Sequence, residues 1–70
     1  MKVLLQDTGT SRYFSASGGW LGDIAQGRSF GDIPLALSFC RERAMFSANI
    51  ILAFDDTDLN VSLRGPRLPR

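Results

Sequence analysis

The residues whose types could do chemistry are few: Asp55, Asp56 and Asp58 with Asn60, a single Cys40, a glycine cluster around Trp20, and arginines at the end of the chain. Asp56-Thr57-Asp58-Leu59-Asn60 matches the opening of a calcium loop, in which side-chain oxygens at alternate positions turn onto one cation. The rest of that motif is absent. Val61 stands where the sharp turn calls for glycine, and Arg67 stands where a bidentate glutamate is needed. Leu59, Val61 and Leu63 also alternate as in a strand, which sends Asp58 and Asn60 to solvent. A polar hairpin turn is the better account.

Gly18-Gly19-Trp20-Leu21-Gly22 invites a phosphate-loop reading, because glycines let backbone amides approach an anion. The context argues against it. No Gly-Lys-Ser/Thr follows, and Gly19, Gly22, Gly27 and Gly31 miss the G-x-G-x-x-G spacing of dinucleotide folds. A loop bent around a buried Trp20 is expected instead. Cys40 would need a lowered pKa to act as a nucleophile, yet it lies on the apolar stripe of a helix and the chain has no histidine to activate it. It reads as a small core residue. The lack of histidine also removes the common zinc sites. Asp55 and Asp56 have little beyond Phe54 beside them to split their pKa values into an acid and a base. The chain is therefore expected not to be an enzyme. No catalytic, cofactor-binding or metal-binding residue is assigned, and no cofactor is expected.

In Arg64-Gly65-Pro66-Arg67-Leu68-Pro69-Arg70 the two prolines favour polyproline II, whose three-residue period would align Arg64, Arg67 and Arg70 on one ridge able to meet an acidic surface. Pro66-Arg67-Leu68-Pro69 also has P-x-x-P spacing, but its flanking arginines do not sit where such ligands are usually oriented. A disordered chain end is the plainer expectation.

Several elements must position these groups. Val3-Leu4-Leu5-Gln6 and Arg12-Tyr13-Phe14-Ser15-Ala16 flank a polar connection of hairpin length, so strands are expected over 2 to 7 and 11 to 16. Gly9 can supply the positive φ of such a turn, and Asp7 can bond the backbone two residues on. Residues 17 to 31 hold five of the seven glycines and form a packed loop anchored by Trp20, Leu21, Ile24 and Phe30. Within it a turn of helix is expected near Asp23 to Gln26 and a short strand near Arg28 to Phe30.

Ile33, Ala36, Leu37, Cys40 and Ala44 fall at i, i+3, i+4, i+7 and i+11, one stripe of a helix. Asp32 can cap it, Pro34 is tolerated in its first turn, and Leu35 and Phe39 widen the apolar arc. Arg43 is expected to lay its aliphatic stem along Ala36 and Phe39. A buried strand follows from Asn49 to Phe54, and Leu59, Val61 and Leu63 alternate in the last one. The expected fold class is α+β: a small antiparallel sheet of about four strands, ββαββ, with room for a short extra strand and one helix packed on one face. Pairing of the first and third strands at the centre gives the order 2-1-3-4.

With 70 residues, no room exists for a second domain, and burial in so short a chain barely offsets chain entropy, which makes dimerisation a natural aid. Residues 1 to 63 are expected as one compact domain, and 64 to 70 as a basic, Pro-containing tail. Neither a membrane span nor a signal peptide is evident, so a cytoplasmic location is expected.

Tyr13-Phe14, Trp20, Phe30, the helix and Phe54-Asp55-Asp56, taken together, resemble a group of short, mostly uncharacterised bacterial proteins with paired strands, a tryptophan, a helix and a last hairpin. The resemblance implies a layout across residues 2 to 63. It implies no activity, and no site residue is carried over from it.

Function then rests on geometry. Side chains alternate along a strand, so Ile51 and Ala53 oppose Ile50, Leu52 and Phe54, just as Leu4 opposes Val3 and Leu5. One helix covers one face. Either residues 17 to 31, plugged by Trp20, cover the other, or Leu4, Ile51 and Ala53 form a patch for another chain. The leading expectation is a non-enzymatic protein-interaction or self-associating module, a homodimer or a partner-binder, that uses Leu4, Ile51 and Ala53 and the arginines Arg64, Arg67 and Arg70. The alternative is a weak nucleic-acid binder with Tyr13, Phe14 or Trp20 as stacking platforms and Arg12, Arg28 and the arginine tail for phosphates. A formal net charge of +1 counts against it.

Overall fold

A computed structural model describes residues 1–55 and 59–66 of the chain. The strands are β1 (Lys2–Asp7), β2 (Tyr13–Phe14), β3 (Trp20–Leu21), β4 (Ala48–Ala53) and β5 (Val61–Arg64); a 3-10 turn at Ile24–Gln26 and helix α1 (Ile33–Glu42) lie between β3 and β4. They form one antiparallel sheet of order β3-β2-β1-β4-β5 with α1 on one face, an α+β fold. The first strand and the Ala48–Ala53 strand pair at the centre over all six residues, Lys2 opposite Ala53 through Asp7 opposite Ala48. The sheet has five strands and not four. The added one is Trp20–Leu21, whereas the segment near Phe30 makes only single bridges, Val3 to Phe30 and Ser15 to Gly27.

The β1–β2 turn is built by Asp7. Its Oδ2 accepts from the Gly9 amide at 3.1 Å, the Thr10 amide at 2.8 Å and the Thr10 hydroxyl at 3.0 Å. These bonds hold its carboxyl below the usual range, the Thr10 amide first among them and the Thr10 hydroxyl next. The positive φ of the turn falls on Ser11, at 59°, and not on Gly9.

The glycine cluster makes a second hairpin. Ser15 and Gly19 close it through Ser15 N to Gly19 O at 2.8 Å, with Gly18 at φ 95°, a conformation other residues rarely adopt. The Ser15 hydroxyl, buried, accepts from the Gly19 amide and bonds the Ser17 hydroxyl.

Asp32 caps α1 through Oδ1 and the Leu35 amide at 2.8 Å, with Pro34 in the first turn. Ala36 and Cys40 are fully buried against the sheet, and their small side chains let the helix approach it closely. Leu37 is half-buried on their flank, and Leu35, expected within the apolar arc, is 56% exposed. The helix also stops short of Ala44. Met45 N donates to Cys40 O at 2.8 Å and Ala44 N to Arg41 O at 3.3 Å, while Ala44 itself adopts φ 52°: together the bonds and the left-handed residue make a Schellman end.

Two apolar clusters divide the core by sheet face. Val3, Leu5, Phe14, Phe30, Ile50 and Ala48 meet Ala36 and Cys40 on the helix side, with Trp20, Phe39, Met45, Leu52 and Leu63 packed around them. On the other side Leu4, Ile51 and Ala53 pack with Tyr13 and Ile24.

Candidate interaction surface

Antiparallel partners share a face, so the Leu4–Ile51 and Lys2–Ala53 pairs place all three expected apolar residues on the face away from α1. That face is not open. Leu4 is 1%, Ile51 5% and Ala53 8% exposed, which corrects the expectation of a free apolar patch there. The residue packed on it from the glycine-rich loop is Ile24, carried on the 3-10 turn that Asp23 caps by accepting from the Ala25 amide at 2.9 Å. Trp20, expected as the plug, lies on the helix side instead, its ring edge-on to Phe14 with centroids 5.4 Å apart. The physical reason is register: Phe14 pairs with Trp20, so Trp20 must share the face of Phe14. What stays concave on the second face is a cleft of about 380 Å³ bordered by Met1, Lys2, Leu4, Ile24, Ala53 and Phe54.

The stacking platforms of the nucleic-acid alternative are also engaged. Phe14 is buried between Trp20 and Phe39, and Tyr13 and Trp20 are half-buried in the two clusters. Of the cations named with them, Arg12 and Arg28 are exposed, and Arg28 stacks on Phe30 and Phe39. Arg64 belongs to β5 and not to a tail, and Gly65 beyond it is buried. Arg67 and Arg70 lie outside the described residues, as do Asp56 and Asp58. Asn60 is committed to the hairpin, since its Oδ1 accepts from the Phe54 amide at 2.7 Å. Burial under the helix pushes the Cys40 thiol pKa up, which keeps it neutral and poorly nucleophilic.

The exposed feature of the sheet is its β5 edge. β5 pairs with β4 on one side, Ile50 opposite Leu63 and Leu52 opposite Val61, and no strand pairs with its outer side among the described residues. These pairs put Val61 and Leu63 on the helix face, yet α1 lies chiefly over β1 and β4. Val61 is accordingly 43% exposed, and Leu59 just before it is exposed too. The opposite edge, β3, is only two residues long. Sequence reasoning passed over Val61 because alternation marks a residue as inward without saying whether anything lies above it; its place in the outermost strand of the expected order was the available signal.

No protein-family model matches the chain, and neither a curated protein nor a solved structure matches it.

Proposed function

We propose that the chain is a non-enzymatic, self-associating interaction module whose contact is the outer edge of β5, not the second sheet face. The observation that carries this reading is an edge strand on whose outer side no strand pairs among the described residues, with an exposed valine on its helix-side flank and Arg64 as its one charged residue. A second copy fits it by symmetry. In a two-fold antiparallel pairing centred on Ser62, Val61 of each copy meets Leu63 of the other on the helix face, and Asn60 meets Arg64 on the other face. Apolar then faces apolar and polar faces polar. A four-residue edge buries less than the ~800 Å² per partner of a standard interface, so the dimer is weak and concentration-dependent. The non-enzymatic part is supported by the burial of the chain's one cysteine, Cys40, and by the lack of a histidine to activate a hydroxyl.

Sedimentation velocity over a concentration series, on the native chain and on Val61→Lys, tests this. A mass that rises with concentration and falls to the monomer value in Val61→Lys, with the fold kept by circular dichroism, is the expected result. A native chain that stays monomeric throughout, or a dimer that the lysine leaves intact, overturns it.

A further inference from the structure

We infer that the groove between the Arg28–Phe30 segment and α1 binds an acidic peptide segment carrying an aliphatic side chain, a contact independent of β5. The Arg28 guanidinium carbon lies 5.0 Å from the Phe30 ring centroid and 4.9 Å from that of Phe39, and the Arg43 guanidinium carbon lies 4.8 Å from the Phe39 centroid. One ring therefore holds two cations. Stacking fixes a guanidinium in place while leaving its N–H fork directed outward, the arrangement that suits a carboxylate. Both guanidinium groups make aromatic contacts, and among the described residues neither pairs with a carboxylate. Beside Arg28 is a groove of about 330 Å³, bordered by Arg28, Ser29, Phe30, Leu35, Ser38 and Glu42; Arg43 shares the Phe39 ring but is not on the groove wall.

Leu35 gives the groove its second property. It is a large aliphatic side chain, 56% exposed on a helix whose other apolar residues turn inward, and it stands at the wall of the groove that Arg28 borders. An acid next to an aliphatic residue satisfies both. Glu42 on the same rim disfavours a uniformly acidic chain, and it disfavours a phosphate backbone in the same way. A volume of this size takes one or two side chains of a peptide and not a folded surface.

The test uses the native chain and two fluorescein-labelled peptides with the cores Glu-Leu-Glu-Leu and Lys-Leu-Lys-Leu, followed by anisotropy, with a labelled oligothymidylate as the nucleic-acid probe. The acidic peptide is expected to bind saturably and more weakly as salt rises, and the lysine peptide is expected not to bind. Arg28→Gln should weaken binding about tenfold, Arg28→Lys less, and Leu35→Ser several-fold, because a charge-assisted contact and an apolar one are each removed. Both positions are exposed, so the fold should persist, and Val61→Lys should bind as the native chain does, which separates this inference from the dimer. The inference is overturned if the acidic peptide does not bind, if it binds no better than its lysine counterpart, if Arg28→Gln binds it equally well, or if only the oligothymidylate binds.

Discussion

A Cβ placed on Gly27 would stand 3.3 Å from both terminal methyl carbons of Leu4 and 3.2 Å from the carbonyl oxygen of Ile24. The loop backbone at Gly27 thus packs directly against the Leu4 side chain on the second face, while an antiparallel bridge ties Gly27 to Ser15. This contact closes over Leu4 and turns a half-covered sheet into one with apolar packing on both faces.

Gly27→Ala tests the contact by its sign. Gly27 has φ −65° and ψ 139°, which alanine adopts freely, so in open space the substitution would stabilise by about 0.4 to 1 kcal/mol. The clash with Leu4 should win and cost ~1 to 3 kcal/mol, read as a lower urea midpoint. A more stable variant would mean that Leu4 and Ile24 give way by the few tenths of an ångström the new methyl needs.

Ile51→Lys and Val61→Lys should part company. The first places a charge where the native side chain is buried, at a cost of several kcal/mol, and is expected to unfold so small a domain. The second faces water and should leave the melting temperature within a few degrees. A folded, monomeric Ile51→Lys would reinstate the second face as the contact surface.

Ala44→Gly should raise stability by roughly 0.5 to 1 kcal/mol. An L residue at φ 52° carries left-handed strain that glycine does not, and the Schellman bonds of Met45 and Ala44 are kept. Equilibrium denaturation checks it, and an unchanged or lower midpoint would argue against the helix end described.

Asp7→Asn should destabilise the chain at neutral pH and lose its effect in acid. The folded-state carboxyl is held below its unfolded value by the Thr10 amide and hydroxyl and the Gly9 amide. Such a group adds stability that is present above the unfolded pKa, about 4, and is lost as pH falls through the lower folded value. Thermal melts of both chains between neutral and acid pH should therefore converge; a gap that persists undiminished below pH ~2 would remove the carboxylate from the account.

The Cys40 thiol should resist iodoacetamide in the native chain and react at once when urea is added. Burial both blocks access and raises its pKa, so the folded state favours the neutral form. Because the folded pKa is the higher one, this stabilisation is complete below the unfolded thiol pKa and fades as pH rises past it. Rapid labelling without denaturant would show that α1 does not seal the site.

What the sequence determined by itself was local. The Asp32 cap, the Ile33 to Cys40 stripe, the Asp7 turn, the continuous apolar run of the Ala48 strand and the alternation of the Val61 strand are each written within a few residues, because capping bonds and side-chain periodicity act over one or two turns of chain. Those signals also sufficed for the fold class and for pairing β1 with β4. Tertiary structure alone decided what lay above each face. Periodicity says that Leu4, Leu35 and Val61 are apolar positions on an element, but only long-range packing buries Leu4 under Ile24 and Gly27 and leaves Leu35 and Val61 exposed. The glycine-rich loop has no period of its own, so its course follows from distant partners: Trp20 goes to the helix side through its pairing with Phe14, and Ile24 is left to cover the sheet.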